Sequence, residues 1–137
     1  MDTLNFLRPY ILQGTWTISL PPSRTLQLLA SDDIGAFAVL AFEQPERWLN
    51  QSIELAGDEL SQLQIAEVLS RVIGRTIRFV EMPIEQARAY DADLAKVTEW
   101  LNNEGFHADI PALRAIYPDL MTLETWLRKN GWQHATA

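Results

Sequence analysis

The side chains able to do chemistry in this chain are few, and their spacing closes more routes than it opens. The six glycines, at positions 14, 35, 57, 74, 105 and 131, are never closer than 17 residues. Neither a G-x-G-x-x-G turn nor a phosphate-cradling loop can therefore be written onto the chain. A Tyr-x-x-x-Lys pair, which hands a proton to a carbonyl, would need a lysine four residues after Tyr10, Tyr90 or Tyr117, where the sequence has Gly14, Leu94 and Met121. The two histidines, His107 and His134, lack the spacing of a shared metal site and read as solvated or locally bonded. Cysteine is absent, which removes thiol nucleophiles, zinc knuckles and disulfides.

Two adjacent acid pairs remain, Asp32-Asp33 and Asp58-Glu59. Each precedes a predicted helix, where carboxylates meet the positive end of the dipole and unpaired N–H groups need acceptors. They are read as helix caps rather than as acid/base pairs or a hard-cation site. Tryptophan is unusually frequent, at 16, 48, 100, 126 and 132. Trp100 and Trp126 fall on helical apolar stripes and are assigned to the core. Trp16, Trp48 and Trp132 stand nearer element ends and are candidates for a ligand pocket or an interface.

Composition narrows the partners. A net charge of -7, with only two lysines and scattered arginines, disfavours nucleic acid and anionic membrane as direct partners. No apolar run approaches the roughly 20 residues that span a bilayer. An acid stands at Asp2, where a signal peptide would carry base, so a cytoplasmic location is expected. With 137 residues, 47% of them hydrophobic, one domain over 1–137 is expected.

The elements that would position these residues follow from periodicity. Residues 4–19 read as an irregular lead-in, with a short strand at 16–20 stopped by Pro21-Pro22. Leu26, Leu28 and Ala30 suggest a second strand. A helix capped by Ser31 or Asp32 should bury Ile34, Phe37, Ala38, Ala41 and Phe42 and stop at Pro45. Residues 51–57 read as the next strand, ended by a turn at Gly57-Asp58. Ser61 and Gln64 fit a capping box before the stripe Ile65, Val68, Leu69, Val72 and the stop at Gly74. A strand at 76–80 is followed by a helix from Ile84 with a break near Tyr90-Asp91, whose second piece should bury Leu94, Val97, Trp100 and Leu101. Asp109 caps a helix carrying Leu113 and Ile116, and Thr122 caps one carrying Leu123, Trp126 and Leu127. The tail from His134 to Ala137 is expected to be disordered.

Several of these segments, in order, carry a resemblance. The run Ser31-Asp32-Asp33-Ile34-Gly35-Ala36-Phe37-Ala38 followed by Ile53-Glu54-Leu55-Ala56-Gly57-Asp58 resembles the carboxyl-terminal part of the NmrA-like family, relatives of the short-chain dehydrogenases. There a helix opened by Asp-Asp-Ile-Gly precedes a strand reading Ile-Glu-Leu-Ala-Gly. Farther on, Glu104-Gly105-Phe106, Asp109-Ile110-Pro111-Ala112-Leu113-Arg114 and Thr122-Leu123-Glu124-Thr125-Trp126 are similar to that family's closing helices. Met1-Asp2-Thr3-Leu4 resembles its Phe-Phe-Met-Glu-Asn-Leu segment.

The resemblance implies an α+β fold of α/β descent, a mostly helical lobe with a few short strands. It corresponds to the C-terminal half of an extended Rossmann protein without the glycine-rich half. Full-length relatives would bind NAD or NADP, as redox-sensing regulators or as quinone or carbonyl reductases. No cofactor is expected on this chain alone, and catalysis by it alone is not expected. The segment holding Met1, Asn5 and Tyr10 would border the substrate cleft. In relatives the strand at 51–57 joins the Rossmann sheet. Here Ser52, Ile53, Glu54, Leu55 and Ala56 would be an edge left to pair with a second copy or with a separate amino-terminal Rossmann half.

Overall fold

Each strand of this chain is four residues long and finds one partner. In a computed structural model, which describes residues 1–136, β1 (Thr15–Ile18) runs parallel to β4 (Arg78–Glu81), and β2 (Thr25–Leu28) runs antiparallel to β3 (Asp58–Ser61). Helices make up most of the rest: α1 (Leu4–Ile11), α2 (Ser31–Glu43), α3 (Pro45–Trp48), α4 (Gln62–Ile73), α5 (Ile84–Tyr90), α6 (Ala92–Asn103), α7 (Ile110–Ile116) and α8 (Leu123–Lys129). The fold is α+β with helix dominant, as the sequence indicates. Among the described residues no helix is long and apolar enough to cross a membrane.

The core is built around α4. Its start is the capping box read from the sequence: the Ser61 hydroxyl accepts the Gln64 N–H at 3.2 Å, and the Gln64 side chain accepts the Ser61 N–H at 2.8 Å. Its end is Gly74 at φ +82°, the left-handed stop that glycine adopts without penalty. Between them Ile65, Val68, Leu69 and Val72 are buried against Leu123, Trp126 and Leu127 of α8. A smaller cluster joins Phe37 of α2 to Leu113 and Leu120.

Four expectations are corrected. The lead-in is helical as α1, despite Pro9 inside it. Proline in a helix costs about 3 kcal/mol. Leu4 and Ile11, seven apart on one face, are both buried, and each contributes roughly 1.5–3 kcal/mol, so burial offsets the lost bond.

The strand placed at 51–57 does not form. Pairing falls instead on β3, where Leu60 faces Leu26 and Glu59 faces Gln27. The Gln27 amide donates to the Glu59 carboxylate at 2.9 Å. These cross-strand pairs outweigh the weak β propensity of Asp-Glu-Leu-Ser.

Two helices turn apolar residues outward. On α2 Phe37 is buried, but Ile34 is 51% exposed and Phe42 is 85% exposed. The helix is apolar on two sides, and periodicity cannot say which side the core takes. On α6 the buried residues are the small ones, Ala95 and Thr98, whereas Leu94, Val97 and Trp100 face solvent. Close packing of α5 on α6 selects small side chains at their contact. Trp100 is thus not a core residue; its ring meets Phe106 edge-on at 4.9 Å.

The break near Tyr90-Asp91 and the caps of α7 and α8 are as read. Asp91 breaks the chain between α5 and α6 and accepts the N–H groups of Asp93 and Leu94. Asp109 and Thr122 cap α7 and α8. In the tail the His134 N–H donates to the Val72 carbonyl at 3.4 Å and Ala135 packs on the core; Ala137 lies outside the described residues.

Candidate functional site

Three parts of the chain converge on the entry to α8. Asp33, in the first turn of α2, is buried, and its Oδ2 accepts the Met121 N–H at 3.0 Å. Asp58, at the head of β3, accepts the Leu123 N–H at 2.9 Å with one oxygen and the Glu59 N–H at 3.0 Å with the other. Arg114 of α7 donates to the carbonyls of Gly57 and Leu120, at 2.7 and 3.3 Å. A Cβ on Gly57 would stand 2.2 Å from the Met121 carbonyl oxygen, so only glycine permits this approach.

The acids therefore do not cap the helices they precede. The N-cap of α2 is Ala30, which makes no side-chain bond. Instead the Asp2 carboxylate accepts the Ser31 N–H at 2.9 Å. Asp32 lies at the surface and pairs with Lys129 at 2.8 Å. Asp58 and Glu59 lie on a strand, and Asp58 serves α8 from a distance. Burial pushes the Asp33 carboxyl above the usual aspartate range, and the Met121 N–H opposes that shift. These groups hold backbone in place.

The tryptophan candidates separate clearly. Trp16 is buried, and its indole N–H donates to Gln62 Oε1 at 3.1 Å. Trp132 is fully buried, with its ring 6.4 Å from that of Trp126 and the Arg8 guanidinium 5.0 Å above it. Both are core residues, which corrects their assignment to a pocket or interface. A tryptophan near an element end in sequence can still point into the core when another helix covers that end. Trp48 is half-buried and lines a surface groove of about 340 Å³ together with Ser52, Ile53, Glu54, His107 and Leu113.

Ser52, Ile53 and Glu54, the first part of the segment 52–56, form the rim of that groove. No backbone–backbone hydrogen bond joins residues 52–56 to another element among the described residues, so their N–H and C=O groups lie unpaired along an irregular segment. Ser52, Ile53 and Glu54 are exposed, Leu55 is half-buried and Ala56 is buried. The Glu54 carboxylate accepts the His107 N–H at 2.8 Å.

At the amino terminus Met1 packs half-buried on the core, and its ammonium donates to the Leu29 carbonyl. Burial lowers the pKa of that ammonium. Asn5 and Tyr10 are exposed, and Phe6 between them is 82% exposed. The outward apolar residues of α1 and α2 were missed in the sequence, although both helices are rich in large apolar side chains on more than one side. Their starts are tied by the Asp2–Ser31 bond.

A dinucleotide needs a glycine-rich turn leading from a parallel strand into a helix N-terminus that receives the pyrophosphate. In this chain β4, of the parallel pair, leads through Pro83 at the N-cap of α5 to Glu85 in the first turn. Proline offers no N–H, and the glutamate places negative charge where phosphate would sit, so these residues do not fit the group. Among the described residues no cluster of three His, Asp or Glu side chains could hold a metal ion.

Comparison with known proteins returns a family and a fold. A model of the NmrA-like family matches residues 3–127. Among solved structures, NmrA, a negative transcriptional regulator in complex with NADP, is similar with a TM-score of 0.61 and 20% identity. The match covers 86% of this chain and 46% of that one, so the chain spans less than half the length of that structure. At that identity the likeness is one of fold. No curated protein matches.

Proposed function

This chain belongs to the NmrA-like family, and from that premise we propose that it is the family's substrate-side lobe, working as a non-catalytic module that docks a partner or a small ligand. The observation that carries the reading is the unpaired backbone at 52–56 together with the outward apolar residues Ile34, Val39 and Phe42 of α2. Free backbone groups along such a segment can take up a partner strand, and exposed helix faces are covered by burial. The partner is a nucleotide-binding half of the same fold or a second copy of the chain. The poor fit of Pro83 and Glu85 to a pyrophosphate supports a lobe that holds no dinucleotide by itself.

A second reading, one half of an NAD(P)-dependent oxidoreductase, draws on the likeness to a structure solved with NADP. Under it α1, with Asn5 and Tyr10, would border the substrate cleft.

Two measurements separate these readings. Sedimentation of the purified chain at micromolar concentration should show self-association, or association with an added family nucleotide-binding half. A well-folded monomer that ignores both would sink the docking module. Titration with NADPH and NADH should give no saturable binding; submillimolar affinity would overturn the assignment of cofactor binding to another polypeptide.

A further inference from the structure

The α5–α6 hairpin is nearly self-contained. Its buried residues, Ala87, Ala95 and Thr98, are small, and neither core cluster includes a residue from 84–103. Its side-chain bonds are internal: Arg88 pairs with Glu85 and Glu99, Lys96 with Asp93 at 2.9 Å, and the Thr98 hydroxyl with the Leu94 carbonyl at 2.9 Å. Among the described residues, Arg24 is the one side chain outside the hairpin that bonds to it. The Arg24 guanidinium donates to the Leu101 carbonyl from Nε at 3.0 Å and from Nη2 at 2.8 Å, and to the Glu104 carbonyl at 3.0 Å.

These are the carbonyls a helix leaves unpaired at its carboxyl end, where the dipole also favours a cation. The roots of the hairpin are two residues with special backbone, a proline and a glycine. Pro83 begins it just after the Met82 N–H bonds the Ile18 carbonyl at 3.0 Å. Gly105, at φ +74°, ends it, and a Cβ there would stand 3.2 Å from Arg24 Nη2. A small cavity of about 60 Å³ sits at this junction, lined by Arg24, Gln27, Glu59, Phe106 and His107 among others.

We propose that the α5–α6 hairpin is a hinged arm that Arg24 clasps shut, with Pro83 and Gly105 as its pivots. Opening the clasp frees the arm as a unit, widens the cavity between β2 and the segment after α6, and leaves the α4–α8 core intact. This device is independent of what the lobe docks. Arg24 acts as a positioning residue, through the unpaired carbonyls of α6.

Amide hydrogen exchange on the full chain tests it. Arg24→Met keeps the apolar stem and removes the donors. It should speed exchange across 92–103 by ~10-fold or more, the loss expected for charge-assisted bonds that gate a local opening, while amides of α4 keep their protection. Arg24→Lys should fall between. Unchanged exchange in the hairpin, or equal acceleration in the hairpin and α4, would overturn the clasp. Should Arg24→Met fail to fold, Arg24→Gln, which keeps one amide donor and loses the charge, carries the same two outcomes.

Discussion

The Asp58 carboxylate accepts the backbone N–H of Leu123, 65 residues farther along the chain, at 2.9 Å. With the Asp33–Met121 bond it fixes the entry to α8, the helix that closes the core over α4. Acids that precede one helix in sequence thus serve another in space.

Asp58→Ala should destabilise the chain by about 1–3 kcal/mol, because the N–H groups of Leu123 and Glu59 lose their acceptor. Asp58→Asn keeps one acceptor oxygen and should lose less. Urea unfolding should show a lower midpoint with an unchanged slope; a midpoint equal to the parent's would remove the bond from the account of stability.

Asp33 and Glu124 should respond to acid in opposite senses. Burial raises the Asp33 pKa in the folded state, so the folded chain holds that proton more tightly. Its contribution favours folding most at low pH and is lost as pH rises through the raised value. The Arg71 and Arg128 guanidinium groups lower the Glu124 pKa, so its contribution is present above the unfolded value and disappears as pH falls through the lowered one. Stability measured from about pH 3 to 7 should fall less on acidification in Glu124→Gln and more in Asp33→Asn. Parallel curves for both variants and the parent would contradict the assignment.

Gly57→Ala and Gly35→Ala should move stability in opposite directions. The first forces a Cβ to 2.2 Å from the Met121 oxygen, and overpacking of that severity costs about 1–3 kcal/mol or more. The second adds a methyl to an exposed position of α2 with nothing within 4 Å, which should stabilise by about 0.5–1 kcal/mol. Thermal melts of the pair check both signs at once.

Ile34→Glu and Phe42→Glu should leave the melting temperature nearly unchanged, since both side chains are more than half exposed. If α2 forms the docking face, sedimentation should show association weakened in each. A large loss of stability would instead place these residues in the core.

Elements governed by neighbours in sequence were legible. The α4 box of Ser61 and Gln64 spans four residues, and the Asp91 break and the Asp109 and Thr122 caps are equally local. The faces of α2 and α6 were not, because each helix has two sides able to bury and only the tertiary partner selects one. The α2 partner lies near Leu113 and Leu120, beyond any window of periodicity. Strand pairing failed for the same reason, since β3 is defined by Leu26 and Gln27 across the sheet and not by its own composition. Asp33 could not be separated from a cap without Met121, 88 residues away.

The segment 52–56 places one carboxylate, Glu54, between the apolar residues Ile53 and Leu55. A stack of identical copies in register along this run would set each Glu54 against the next, and like charges directly opposed resist such pairing. The same carboxylate is held by the His107 N–H at 2.8 Å. The carboxylate therefore opposes in-register fibril growth along this segment, while leaving staggered pairing with a second copy, or pairing with a strand of different sequence, open.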